Sequence, residues 1–199
     1  MKFFVNFLSV FRIVAAFAVV PTLMLGMYWL TFVLYVLAAV SDFFDGFLAH
    51  KYNVCSKIGG VIDHIGDKLL MATTMIMLAA MMPVWFIVIP IILMLCRELY
   101  ISGLREFMGT QKMEMPVPSA RLSLGKVKTT FQMISIGAFL LFFAIGSTLA
   151  AGVNGRFTMF LIHALPEIGI WGLWISLVAS LWSAAQYTVT FTKKLKQIK

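Results

Sequence analysis

Residues 41–68, SDFFDGFLAHKYNVCSKIGGVIDHIGDK, contain four aspartates in a chain that is otherwise strongly apolar. The chain of 199 residues is 61% hydrophobic and has eight acidic residues, so half of its acidic side chains fall in this one segment. Asp42 and Asp45 are three residues apart and Asp63 and Asp67 are four apart, which places each pair on one face of a helix. The segment therefore predicts two neighbouring helices that bring carboxylates together.

The rest of the chain consists of apolar runs long enough to span a membrane. Runs of about 20 apolar residues between short polar breaks are typical of transmembrane helices, and charged residues make up only 12% of this chain. We predict an all-α membrane protein with one domain over residues 1–199. Pro21 and Gly26 are expected to break the first long run. The six predicted spans are residues 7–25, 28–49, 59–82, 84–107, 125–149 and 167–190.

The N-terminal residues predict an amphipathic segment that lies partly in the membrane interface before the first span. Lys2, Asn6, Ser9 and Arg12 fall on one arc of a helix, apart from most of the neighbouring phenylalanines. From this helix, Arg12 is also expected to approach the functional site.

The basic residues indicate the topology. Nearly all of the 16 lysines and arginines flank one side of the predicted spans, with Arg156 as the exception. Because the number of predicted spans is even, this asymmetry predicts that both termini lie in the cytoplasm. The net charge of +8 suits anionic membrane lipids. No nucleic-acid partner is expected, since the basic residues flank spans and do not form a soluble reading surface.

The four aspartates predict a site for divalent cations. Carboxylates gathered at membrane depth would repel one another and take up protons unless positive charge lay between them. Hard oxygen ligands without a histidine or cysteine set suit Mg²⁺ or Mn²⁺. Two such ions about 4 Å apart stabilise the attacking and leaving oxygens of phosphoryl transfer. A lone intramembrane aspartate is often only a satisfied polar contact, but four at these spacings favour the metal site.

The same segment matches a known signature. Residues 42–67 read D-x-x-D-G-x-x-A-H, eight further residues, and then G-x-x-x-D-x-x-x-D. This pattern closely resembles the signature of the CDP-alcohol phosphatidyltransferases, in which an arginine stands at the position of His50. The blocks NFLSVFRIVAA, CRELYISGLREFM and LGKVKTTFQM resemble the bacterial branch of that family that makes phosphatidylglycerophosphate.

The resemblance implies a homodimeric enzyme of the bacterial inner membrane, with its active site on the cytoplasmic side. Such an enzyme moves the phosphatidyl group of CDP-diacylglycerol to sn-glycerol 3-phosphate, releases CMP, and requires Mg²⁺ or Mn²⁺. By position, all four aspartates would bind metal, and Asp67 would also be the general base for the glycerol hydroxyl. Gly46, Ala49 and Gly59 would line the CDP site. His50, in place of arginine, is either a substitute contact to the donor or an interfacial residue without a function.

Cationic side chains are expected to converge on the phosphate of the acceptor. Arg97 and Arg105 lie two turns apart in the fourth predicted span, and Lys126 and Lys128 begin the fifth, so these four are the candidates. For Arg105 and Lys126 the alternative is snorkelling to the interface. Arg97 follows an apolar run and needs a partner, for which Glu98 is available.

Three other functions are alternatives to this one. A cation or proton transporter could use the same carboxylates as a relay, but no inverted repeat or paired broken helix is apparent. A membrane prenyltransferase also binds diphosphate through aspartates, but it generally needs two aspartate motifs further apart in sequence. A family member with another acceptor alcohol, such as a cardiolipin-forming enzyme, stays open, because the aspartate motif does not distinguish acceptors.

Overall fold

The structure is a computed structural model that describes residues 2–52, 57–110, 124–152 and 155–196. Within the helices, it does not describe the side chains of residues 2–8, 42–52, 57–61, 63, 124–126, 194 and 196. The described residues form six helices and no strand. The helices are α1 (Lys2–Met24), α2 (Tyr28–Tyr52), α3 (Lys57–Met81), α4 (Trp85–Thr110), α5 (Leu124–Ala150) and α6 (Arg156–Lys196).

The predicted spans correspond one to one with these helices, and the largest difference in their bounds is at the start of α6. Pro21 lies inside α1 and does not end it. Pro166 lies inside α6, which begins at Arg156 and not at residue 167 as predicted. Proline is tolerated within membrane helices because neighbouring groups satisfy the freed backbone carbonyls. At the start of α6, the Thr158 hydroxyl donates to the carbonyl oxygen of Gly155 at 2.7 Å, which places the helix start well before Pro166.

The turn between α1 and α2 is made by Gly26, as predicted. Gly26 has a φ of 72°, in the left-handed region where only glycine avoids a steric penalty. The amide of Met27 donates to the carbonyl of Thr22 at 2.9 Å, and the amide of Leu25 donates to that of Pro21 at 2.9 Å. These bonds satisfy carbonyls that the end of α1 would otherwise leave without partners.

The chain divides into two compact units. The first comprises residues 1–82 and 136–169. In it, α1 packs against both α2 and α3 through a face of small and branched residues. This face leaves little room between the helices, yet it also carries the fully buried side chain of Arg12. Its buried members are Ala15, Ala16, Val19 and Leu23, each at most 3% exposed.

The second unit comprises residues 83–135 and 170–199, and a stripe of small residues on α6 organises it. A Cβ atom on Gly172 would lie 2.9 Å from the Cβ of Ser135 in α5, so the two helices are in close contact there. One turn further, the Ser176 hydroxyl donates to the carbonyl oxygen of Lys128 at 2.9 Å. Ser180 and Ser183 continue the stripe and are also buried. The stripe brings α6 close enough to its neighbours for polar side chains to meet.

The chain is an all-α membrane protein. Among the described residues, three helical segments are long and apolar enough to cross a membrane: Trp85–Thr110, Val127–Ala150 and Arg156–Lys193. Two shorter apolar segments, Ser9–Met24 and Tyr28–Ser41, precede them. Large hydrophobic side chains point outward along these helices; Phe17, Trp171 and Trp182 are each at least 60% exposed. Such outward apolar surface is expected where lipid is the solvent.

Candidate active site

Arg12 in α1 and Asp67 in α3 form an ion pair in the first unit. The Arg12 Nη1 donates to Asp67 Oδ1. The Arg12 side chain is 0% exposed, whereas that of Asp67 is 34% exposed. A buried guanidinium is stable only when its charge and its donors are satisfied, so the position of Arg12 depends on this carboxylate. The sequence predicts Arg12 near the functional site, and the structure places its guanidinium against Asp67.

Gly66 allows this pair to form because it lets α1 approach α3. A Cβ atom at Gly66 would lie 3.3 Å from the Ser9 carbonyl oxygen and 3.5 Å from the Arg12 Cβ. Any larger side chain would therefore push against the backbone of α1. Ser9 and Arg12 belong to the predicted polar arc of the N-terminal segment, and both are buried here.

Arg12 also contacts α2, immediately before the first aspartate of the signature. Its Nε donates to the Ser41 hydroxyl oxygen at 3.4 Å. Ser41 in turn donates to the carbonyl oxygen of Ala38 at 2.8 Å, so its oxygen is oriented as an acceptor toward Arg12. The Arg12 guanidinium thus contacts Ser41, which precedes the first aspartate of the signature, and Asp67, which is its last residue.

The other residues of the signature lie on these two helices, but their side chains are outside what the structure describes. The predictions for their roles therefore remain predictions. Those on α2 are Asp42, Asp45, Gly46, Ala49 and His50, and those on α3 are Gly59 and Asp63.

The described part of the site is compatible with a divalent cation. Asp67 offers a hard carboxylate ligand of the kind Mg²⁺ and Mn²⁺ prefer, and its side chain is 34% exposed. No group of three histidine, cysteine, aspartate or glutamate side chains suited to a metal occurs among the described side chains. That set includes Asp67 but not Asp42, Asp45 or Asp63. Metal binding by all four aspartates is therefore a proposal.

In the second unit, Glu98 binds two of the predicted acceptor cations. The Arg97 Nη1 donates to Glu98 Oε1 at 3.0 Å, and the Lys128 Nζ in α5 donates to the same oxygen. Lys128 is only 7% exposed, so it is not a lysine that has snorkelled to the surface. The partner expected for Arg97 is confirmed, and it serves Lys128 as well.

Arg97 is fixed further by α6. Its Nε donates to the carbonyl oxygen of Ser180 at 3.1 Å, and its Nη2 donates to the Ser183 hydroxyl at 3.1 Å. With Glu98, these contacts engage three separate nitrogens of the guanidinium, which holds its plane in one orientation. The serines were not singled out in the sequence. Their spacing along the small-residue stripe of α6 is the signal that could have indicated them.

Arg105 lies two turns beyond Arg97 and is held by an aromatic ring. Its guanidinium carbon is 5.6 Å from the centre of the Tyr187 ring, and its Nη2 is 3.5 Å from the Tyr187 hydroxyl oxygen. Among the described atoms, the buried Arg105 Nε has no hydrogen-bond partner. A guanidinium with an unused buried donor is suited to receive an anion. Of the four predicted acceptor residues, Lys126 is the one whose side chain lies outside the described set.

Comparison with known proteins places the chain in a family. The sequence profile of the CDP-alcohol phosphatidyltransferases matches residues 3–182. Three curated bacterial proteins similar to the chain are each named CDP-diacylglycerol–glycerol-3-phosphate 3-phosphatidyltransferase. The one from Blochmanniella floridana is 30% identical over 196 residues, 97% of this chain and 93% of the relative. The one from Escherichia coli strain K12 is 32% identical over 183 residues, 90% of each chain. The one from Rickettsia bellii is 38% identical over 143 residues, 68% of this chain and 74% of the relative.

The family match covers most of the chain and includes both the Arg12–Asp67 pair and the Glu98 cluster. The resemblance stated from the aspartate signature is therefore confirmed. This chain belongs to the CDP-alcohol phosphatidyltransferase family of transferases.

Proposed function

We propose that this chain transfers the phosphatidyl group of CDP-diacylglycerol to sn-glycerol 3-phosphate and yields phosphatidylglycerophosphate and CMP. The observation that carries the proposal is the shared contact of Arg12 with Ser41 and Asp67. It supports convergence of the two aspartate-bearing helices. The names of the relatives, which cover up to 97% of the chain, support the choice of donor and acceptor.

Asp67 is the general base in this proposal. The glycerol hydroxyl oxygen attacks the phosphorus next to the diacylglycerol, and the bond from that phosphorus to the oxygen bridging it to CMP breaks. The hydroxyl proton passes to a carboxylate oxygen of Asp67, and CMP leaves with the bridging oxygen. A positioned carboxylate in this role contributes about 10²- to 10⁴-fold to the rate. The partial exposure of Asp67 supports access by a hydroxyl group.

Asp42, Asp45, Asp63 and Asp67 are the proposed ligands of two Mg²⁺ or Mn²⁺ ions. Such ions, when bound, neutralise the charge of a diphosphate. The residues Gly46, Ala49, His50 and Gly59 are the proposed contacts to the CDP part of the donor. His50 would bind phosphate more weakly than arginine, because an imidazole group is mostly neutral near pH 7.

The acceptor phosphate is the proposed ligand of Arg97, Arg105, Lys126 and Lys128. Arg97 and Lys128 share Glu98, so these two cations and one anion leave a single net positive charge. Arg105 and Lys126 add one each, which suits a phosphate dianion. When no phosphate is bound, the negative charge of Glu98 also reduces the repulsion between the neighbouring positive charges of Arg97 and Lys128.

The proposed setting of the enzyme is the bacterial inner membrane. Residues 1–199 would form one catalytic domain in the bacterial inner membrane, as a homodimer with both termini on the cytoplasmic side. The donor would enter from the lipid, and glycerol 3-phosphate and CMP would exchange with the cytoplasm.

Acceptor competition with purified protein tests the activity. Protein in detergent is given CDP-diacylglycerol, and CMP release is followed with glycerol 3-phosphate or with phosphatidylglycerol as the acceptor, with EDTA or with added Mg²⁺. We expect release only with glycerol 3-phosphate and a divalent cation. Release with phosphatidylglycerol alone would contradict the named acceptor, and release in excess EDTA would contradict the metal requirement.

A further inference from the structure

We propose that Arg12 is a positioning residue that fixes the carboxylate of Asp67 for metal binding and proton transfer. The proposal rests on the proposed function, because it assigns a role toward the metal ligand and base named there. Arg12 itself touches neither substrate nor reacting atoms in this role; it acts through Asp67.

The burial of Arg12 distinguishes it from an ordinary basic residue of a membrane protein. Basic side chains that only set topology extend to the membrane surface, whereas Arg12 is 0% exposed among the packed residues of α1. A fully buried charge is retained at a cost in stability. The fold meets that cost at a position of α1 from which the side chain contacts Asp67.

The contacts of Arg12 restrict its orientation. Its Nε is directed to Ser41 in α2 and its Nη1 to Asp67 in α3. Because the guanidinium is planar and rigid, two contacts from different helices determine its plane. Because the guanidinium of Arg12 cannot rotate freely, its hydrogen bond also restricts the orientation of the Asp67 carboxylate.

The pair is expected to persist when a cation binds. Arg12 engages Oδ1 of Asp67, and a carboxylate has about four lone-pair sites, so accepting a hydrogen bond from a guanidinium does not prevent it from binding a metal ion. Displacing Arg12 would break the ion pair of a guanidinium that has no exposed surface, which is strongly unfavourable. Partners that orient metal-binding carboxylates in this way typically affect metal affinity or activity about 10- to 100-fold.

A double-mutant cycle on Mn²⁺ affinity tests the proposal. The dissociation constant of Mn²⁺ is measured by electron paramagnetic resonance on full-length protein in detergent for Arg12→Gln, Asp67→Asn and the double variant. We expect Arg12→Gln to weaken Mn²⁺ binding about tenfold and to have no further effect when Asp67 is already Asn. Arg156→Gln, at an exposed arginine, is the matched control and should leave the affinity unchanged.

Several outcomes would overturn the role of Arg12. Unchanged Mn²⁺ affinity in Arg12→Gln excludes positioning, and tighter binding means that Arg12 competes with the metal. Additive effects in the double variant mean that Arg12 does not act through Asp67. If the wild-type protein neither binds Mn²⁺ nor releases CMP, the proposed function fails as well, whereas an active wild type with an additive cycle overturns the role of Arg12 alone.

A second variant keeps the test decisive if Arg12→Gln does not fold. Arg12→Lys keeps the charge but loses the planar fork that contacts both Ser41 and Asp67. We expect it to weaken Mn²⁺ binding by about threefold, less than the tenfold loss of a full deletion of the contact. Thermal unfolding of each variant reports folding independently of the metal. An affinity equal to wild type in folded Arg12→Lys protein would contradict the requirement for a fixed guanidinium.

Discussion

Glu98 in α4 binds the ammonium group of Lys128 in α5, and the carboxylate oxygen that does so also accepts a hydrogen bond from Arg97. Lys128 is 7% exposed, so it has little access to water as a substitute partner. One acidic side chain therefore helps to hold two largely buried cations. We therefore expect the loss of the Glu98 carboxylate to lower the stability of the fold, in addition to any effect on the catalytic rate.

Glu98→Gln is predicted to lower the free energy of unfolding by about 1–3 kcal/mol, the usual cost of leaving a buried donor without its hydrogen-bond partner. Thermal unfolding in detergent is the measurement. Glu167→Gln, at an exposed glutamate, is the control and should leave the unfolding temperature unchanged. Equal unfolding temperatures for the two variants would show that Glu98 does not hold the cluster together.

Arg105→Gln is predicted to raise the KM for glycerol 3-phosphate about 10- to 100-fold, with a smaller change in kcat, because a charge-assisted contact to phosphate contributes about 1.5–3 kcal/mol. The prediction follows from the buried Nε of Arg105, which lacks a hydrogen-bond partner among the described atoms. CMP release at varied acceptor concentration gives both constants. Arg156→Gln serves as the control for loss of one positive charge. An unchanged KM for the acceptor would assign Arg105 to packing on Tyr187 alone.

Asp67→Asn is predicted to lower turnover by about 10²- to 10⁴-fold, the usual contribution of a general base, while binding of CDP-diacylglycerol persists. An amide cannot accept the hydroxyl proton, but it can still occupy the place of the carboxylate beside Arg12. CMP release and equilibrium binding of labelled donor are the two measurements. Lost donor binding with full turnover at saturation would refute the assignment of the base.

The helices and their order could be predicted from the sequence because each apolar run has membrane-spanning length and is bounded by polar residues. The start of α6 could not be predicted in this way. A proline such as Pro166 often marks the end of a helix, whereas α6 continues through it. Local sequence does not show whether neighbouring helices will satisfy the backbone around a proline.

The candidate site was predictable where its residues share one helix. The spacing of Arg97 and Arg105 and the neighbouring position of Glu98 indicate a cationic face on α4. The partners of these arginines on α6, Ser183 and Tyr187, lie 86 and 82 residues further along the chain. No periodicity connects residues at that distance, so helix packing alone determines those contacts. The same holds for the pair of Arg12 and Asp67, 55 residues apart.

Gly66→Val is predicted to lower the free energy of unfolding by about 1–3 kcal/mol, the usual cost of overpacking, and to reduce CMP release at the same time. Even a Cβ atom at Gly66 would lie 3.3 Å from the Ser9 carbonyl oxygen, so the branched side chain of valine must push α1 away from α3. That displacement would separate Arg12 from Asp67. The control is Gly103→Val in α4, because a Cβ atom at Gly103 would have nothing within 4 Å. Thermal unfolding and CMP release are measured for both variants. If Gly66→Val matches the Gly103 control in both measurements, the close approach of α1 and α3 is not what keeps Asp67 in place.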